Sequence, residues 1–154
     1  MAPRRSAGIL LYRVVDGAIQ VLLGHMGGPF WTRRDAGAWT VPKGEYESDE
    51  HVEVAARREF VEELGISPPD GELVPLGEVR QSGGKIVTAF ALRGDLDPDA
   101  AVAGMFSMEW PKGSGVVREF SELDRFAWFG LGRAKSKLVV AQRVFVERLA
   151  EHLR

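Results

Sequence analysis

At 154 residues, 45% of them hydrophobic, the chain is long enough to close one core and too short for two comfortable domains, so a single domain over 1–154 is expected. It has no Cys, which excludes a disulfide framework and thiolate chemistry, and its net charge of −2 gives no sign of a stable nucleic-acid partner. No run approaches a membrane span, and the basic start Met1 to Val15 is broken by Tyr12 and Arg13, unlike a signal peptide, so the chain is read as cytoplasmic, a monomer or a homodimer.

Ala7 to Val15 and Ile19 to His25 read as strands around an Asp16-Gly17 turn, a hairpin. Trp39 to Pro42 is a short extended approach to a helix. From about Glu50 to Leu64 there is no Pro or Gly, and Val52, Ala56, Phe60 and Leu64 recur at helical spacing as a buried stripe. Ser48 or Asp49 is expected to cap that helix, and Gly65 followed by Pro68 to end it. Leu76 to Gln81 and Lys85 to Leu92 form a second strand pair across Ser82-Gly83-Gly84. Gly115 to Phe120 and Phe126 to Phe129 read as further short strands. Val139, Val140, Val144, Leu149 and Leu153 suggest a terminal amphipathic helix over Leu138 to Leu153.

The charge is concentrated around the first helix. Gly44 to Glu63 holds eight acidic residues against Arg57 and Arg58, a local charge of −6 in a chain of −2. Glu59, Glu62 and Glu63, at i, i+3 and i+4, are expected on one helix face within reach of each other. An acidic run alone describes a solvated face. Carboxylates crowded in this way are best tolerated when a cation neutralises them, and oxygen ligands without Cys or clustered His favour magnesium or manganese over zinc.

The run Gly44, five residues, Glu50, seven residues, Arg58-Glu59-Phe60, one residue, Glu62-Glu63, one residue, Gly65-Ile66 resembles the box of the Nudix hydrolases, departing only where Phe60 replaces the usual aliphatic. The resemblance implies an α/β fold, an α-β-α sandwich around a mixed β-sheet. It also implies magnesium-dependent hydrolysis of a pyrophosphate in a nucleoside diphosphate linked to another moiety, with Mn2+ as a possible substitute metal. Under it, Glu59, Glu62 and Glu63 are the metal-binding carboxylates and the main-chain carbonyl of Lys43 is a further ligand. Arg58 and Glu50 then take architectural roles, Arg58 pairing with Glu50 or Glu62.

A glutamate from a later loop contributes in many relatives as base or extra ligand. Glu122 is chosen because Glu122 to Trp128 resembles a segment of the family's diadenosine polyphosphate hydrolases, and Glu109 is the rival. The approach Trp39 to Glu45 carries the same likeness. The tyrosine that marks some dinucleoside polyphosphate enzymes is missing, as is the proline that marks many ADP-ribose pyrophosphatases. Phe30, Trp31 and Trp39 are candidates to face a base, with core packing weighed above stacking for Phe30 and Trp31. Lys43, Arg33 and Arg34 are candidates to meet phosphates. The substrate class is a nucleotide, either a dinucleoside polyphosphate or a (modified) nucleoside triphosphate. The alternative is a silent nucleotide-sensing module on the same fold.

Overall fold

A continuous run of buried residues makes the strand Arg5–Val15 (β1) the centre of the structure, a computed structural model that describes residues 3–154. Met1 and Ala2, which open the expected domain and its basic start, lie outside the described residues. Ala7, Ile9 and Leu11 face one layer and Leu10 the other, all fully buried, as the two-residue repeat of a strand covered on both faces requires. Asp16 and Gly17, both with positive φ, turn the chain into Ala18–Met26 (β2), which pairs antiparallel with β1 as expected.

Trp39–Thr40 (β3) extends the sheet beside β2, and Lys43–Glu45 (β4) pairs with the start of β1. After the helix Val52–Leu64 (α1), Val74–Arg80 (β5) and Ile86–Arg93 (β6) form the second hairpin, and β6 lies parallel to β1. A two-stranded arm follows, Met105–Glu109 (β7) with Val117–Ser121 (β8). Leu123–Gly130 (β9) returns to pair with β2. The last elements are Leu131–Lys137 (α2) and Arg143–His152 (α3). The mixed sheet runs β3-β2-β1-β6-β5, with β4 on β1 and β9 on β2. α1 covers one face through Ala55, Ala56, Phe60 and Leu64, while α2 and α3 cover the other through Ala134, Phe145, Val146 and Leu149. The architecture is the expected sandwich of helices around a mixed sheet.

Phe60, at the unusual box position, is wholly buried among Ile9, Leu64 and Phe90 of its layer. Phe60→Ala is expected to cost about 3–5 kcal/mol through the cavity it leaves, measured as the loss in unfolding free energy by urea titration. A loss under about 1 kcal/mol would mean that this layer collapses around the gap.

Several elements differ from expectation. α1 starts at Val52 with His51 as its cap, the His51 ring accepting from the Glu53 N–H at 3.3 Å. Ser48 and Asp49 stand outside the helix because the chain turns there, Glu50 N–H donating to Glu47 O, and Glu50 is turned to Arg58. β7 was not expected at all, and its residues alternate only between exposed and half-buried, with none in the core. The terminal helix begins only at Arg143, and the separate helix α2 that precedes it was not expected. Gln142 is buried with its side-chain oxygen accepting from Val41 N–H at 2.9 Å, and Val139 N–H donates to Trp39 O. These bonds to β3 and its exit hold residues 138–142 out of the helix, so Val140 is 72% exposed instead of lying on the stripe.

Candidate active site

Helix geometry decides how the three box glutamates divide. At 3.6 residues per turn, Glu59 and Glu63 lie about 40° apart on the helix, whereas Glu62 and Glu63 are separated by about 100°. Glu59 and Glu63 therefore turn inward, each 6% exposed, while Glu62 leans outward with its side chain 57% exposed. The expectation of three carboxylates on one face thus narrows to two that point into the protein and one at the rim.

Arg58 organises this helix. Its Nε and Nη2 grip both oxygens of Glu50 at 2.8 Å, and its Nη1 donates to Glu59 at 2.8 Å and Glu62 at 3.0 Å. The guanidinium thus pairs with both expected partners and also with Glu59. Its hydrogen bond holds the half-buried Glu50 carboxyl below the usual carboxylate range, and these carboxylates, Glu50 first, keep the Arg58 guanidinium firmly charged. The bidentate fork ties the loop at Glu50 to the middle of α1.

Glu59, Glu62 and Glu63 line a cavity of ≈ 490 Å³ with Lys43, Lys85 and Glu122. Gly44 is required there, because a Cβ at that position would overlap the Glu59 carboxylate. Glu122 arrives from the junction of β8 and β9, with its backbone fixed on both sides: its N–H donates to Gly104 O at 2.8 Å and its carbonyl accepts from Gly27 N–H at 2.9 Å. A side chain at Gly27 would strike the Ser121 carbonyl, so only glycine lets the β2 exit approach closely enough to make that bond. Glu109 lies at the far end of β7, outside the cavity lining, and accepts from Gly113 N–H at 2.6 Å.

Burial pushes the Glu63 carboxyl up to about 9, reinforced by the hydrogen bond and charge of Glu122 and by Glu59, with Lys43 opposing. Burial also raises Glu59, partly offset by Arg58. The Lys43 ammonium is drawn below its ordinary range, first by burial and then by Lys85, against the pull of Glu63, Glu45 and Glu59. Lys43 sits on β4 in the cavity wall, the position from which the resemblance draws a carbonyl ligand.

Among the described residues no three His, Asp or Glu side chains are gathered closely enough to hold one ion. Arg58 accounts for this at the helix, holding Glu59 and Glu62 to itself. The donor set still suits a hard divalent cation: Glu59, Glu63 and Glu122 line one cavity, and burial, reinforced by the neighbouring carboxylates, drives Glu63 toward its neutral form. Added positive charge is what this cluster lacks.

The aromatic candidates separate. Trp39 is 3% exposed, donates from Nε1 to Asp35 at 2.9 Å and packs edge-on against Phe129, so it is structural and offers no face to a base. Trp31 is partly buried against the α3 layer, while Phe30 is 58% exposed and stacks edge-on with Trp110 at 5.2 Å. Arg33 and Arg34 stand outside the cavity lining. Lys85 and Ser6 are among the lining residues that were not foreseen. Lys85 was read only as the start of a strand, and Ser6 is a polar residue at the edge of an apolar one. The Ser6 Oγ is fully buried without a hydrogen-bond partner, a cost that points to a ligand atom.

A family model described as the NUDIX domain matches residues 2–149. No curated protein matches the chain. Among solved structures, the NUDIX domain of Shewanella oneidensis NrtR complexed with ADP ribose is 17% identical, with TM-score 0.66 over 100% of this chain and 90% of that one. A C. elegans Ap4A hydrolase binary complex is 22% identical, with TM-score 0.65 over 97% of each chain. The Nudix hydrolase RenU from M. smegmatis is 24% identical, with TM-score 0.59 over 99% of this chain and 88% of that one. At these identities the likeness is one of fold. Among the described residues no helix is long and apolar enough to cross a membrane.

Proposed function

The chain belongs to the Nudix family and is a Nudix pyrophosphohydrolase of nucleotide-linked substrates, and we propose that Glu59, Glu62, Glu63, Glu122, Arg58 and Lys43 form its active site. The substrate is a dinucleoside polyphosphate or a (modified) nucleoside triphosphate, and the cofactor is Mg2+, with Mn2+ as a substitute. The observation that carries this reading is the packing of buried Glu63 against Glu122 and Glu59 in a cavity also lined by the half-buried Lys43. A sensing module has little use for carboxylates that repel one another, which argues against the silent alternative.

When bound, the divalent cation supplies positive charge that screens the phosphates and acidifies water. The carboxylates of Glu59 and Glu63, with Glu62 at the rim and the Lys43 carbonyl, are the oxygen donors that would hold it. Glu122 faces the same gap from the opposite element, so its carboxylate is placed to accept the proton of the attacking water. Arg58 keeps Glu59 and the Glu50 loop in position, and the Lys43 ammonium lies where charge on a phosphate oxygen needs a donor. No Cys exists, and no Ser or His sits in a nucleophile arrangement, so water is the nucleophile.

Treatment with excess chelator should abolish nucleotide hydrolysis, followed by release of phosphate in a coupled assay, and Mg2+ or Mn2+ should restore it. Full turnover in the chelated protein would rule out the metal-dependent reading.

A further inference from the structure

A second hollow opens beside the carboxylate cavity and has the opposite sign. It measures ≈ 680 Å³ and is lined by Arg4, Arg80 and Lys85 around the Ser82-Gly83-Gly84 turn. No acidic side chain is present among its described lining residues. Lys85 belongs to both hollows, so they adjoin. The sheet creates this grouping: β1 and β6 run parallel from their first residues, Arg5 beside Ile86 and Ser6 beside Val87, and Ile86 N–H donates to Arg4 O. The β5–β6 turn brings Arg80 to the same edge.

These cations keep donors to spare. Arg4 and Lys85 approach Glu45 only at 3.7 and 3.6 Å, too far for hydrogen bonds and worth little as exposed ion pairs. Arg80 makes one long bond to Gly84 O at 3.4 Å. Gly83 and Gly84 both have φ +88, and a Cβ on Gly83 would meet nothing within 4 Å, so the turn leaves the hollow open. Ser6, in the wall of the first cavity, carries the unpartnered buried hydroxyl. The carboxylate cavity and the basic hollow therefore meet at Lys85.

We propose that the Arg4–Arg80–Lys85 hollow is a second phosphate subsite, which selects substrates whose polyphosphate chain continues beyond the cleaved pyrophosphate. It rests on the reading of the carboxylate cavity as the hydrolytic site. A dinucleoside tetraphosphate reaches the arginines with its remaining phosphates, whereas a two-phosphate substrate such as ADP-ribose presents only sugar there. Arg suits this task because its planar fork meets a phosphate with two donors.

The test uses inorganic tripolyphosphate as the probe, titrated calorimetrically into the chelated protein. Arg80→Gln and Lys85→Gln should each weaken binding about tenfold or more, the scale of a lost charge-assisted hydrogen bond. Arg4→Gln, at a side chain 78% exposed, should weaken it in the same direction and keeps the test independent of folding. In steady state with Mg2+, Arg4→Gln and Arg80→Gln should raise KM for diadenosine tetraphosphate by about tenfold, with kcat within about twofold and KM for ADP-ribose nearly unchanged. Unchanged tripolyphosphate affinity in all three variants, or equal KM increases for both substrates, would overturn the subsite. Wild-type protein that binds tripolyphosphate through these residues yet hydrolyses neither nucleotide would instead overturn the functional reading and leave the subsite standing.

Discussion

Replacing Glu63 by Gln should lower kcat by about 100-fold or more while leaving the fold intact, the scale of a lost metal ligand or proton acceptor. The amide keeps the shape of the carboxyl and removes its charge, and Glu63 is the side chain on which the crowding of the cavity falls. The same substitution has a second, opposite consequence in chelated protein. The folded-state pKa of Glu63 is raised from 4.5 to about 9, so across that window the folded chain holds a proton that the unfolded chain has released. Its contribution is fully present below the unfolded value and is lost as pH rises through the folded one. Glu59 is raised as well and acts in the same direction. Glu50 and Asp35, which are lowered, lose their contributions only on the acid side, as pH falls. The Tm of chelated wild-type protein should therefore fall between about pH 5 and pH 9, and that of Glu63→Gln should fall less. Saturating Mg2+ should flatten the wild-type curve, since a bound cation holds the carboxylates ionised. Identical curves for both chelated proteins, or wild-type turnover by the variant, would remove Glu63 from the site.

What the sequence disclosed and what it concealed divide along the reach of local physics. α1 was readable because its apolar stripe and the glycine after it follow from helix geometry and backbone freedom alone, and Gly65 indeed closes the helix at φ 68. The Asp16-Gly17 hairpin was legible for the same reason. The break before α3 was not, since it depends on Gln142 bonding to Val41, 101 residues away in sequence. Within the site, the spacing of the glutamates was plain, yet that Arg58 takes Glu59 together with Glu50 and Glu62 was not. Ser6 and Lys85 gave no signal because their place in the cavity comes from the parallel pairing of β1 with β6, and a parallel crossover leaves no turn signature between its strands. Trp39, read as a candidate partner for a base, proved to be held by Asp35 and by Phe129, the second of them far from it in sequence.

Glu122→Gln should lower kcat by about 100-fold and change KM much less, because a proton acceptor is needed mainly as the water loses its proton. The geometry that motivates this is specific. Gly27 and Gly104 fix the Glu122 backbone from both sides, and its carboxylate meets Glu63 across the cavity, so the group approaches from the element opposite α1. The rate defect should shrink at high pH, where hydroxide in solution replaces the work of the base. Glu109 provides the control. Its carboxylate is occupied with Gly113 at the tip of the β7–β8 arm, and Glu109→Gln should turn over close to wild type, losing only a turn contact on an exposed hairpin. Each variant needs a pH–rate profile on diadenosine tetraphosphate together with a Mg2+ titration, which separates a lost base from a lost ligand. A lost ligand shows as a higher Mg2+ requirement whose rate defect disappears at saturation; a lost base shows as a rate defect that saturating Mg2+ leaves in place. A silent Glu122→Gln beside a crippled Glu109→Gln would reverse the assignment, and would require the β7–β8 arm to fold down over the carboxylate cavity during turnover.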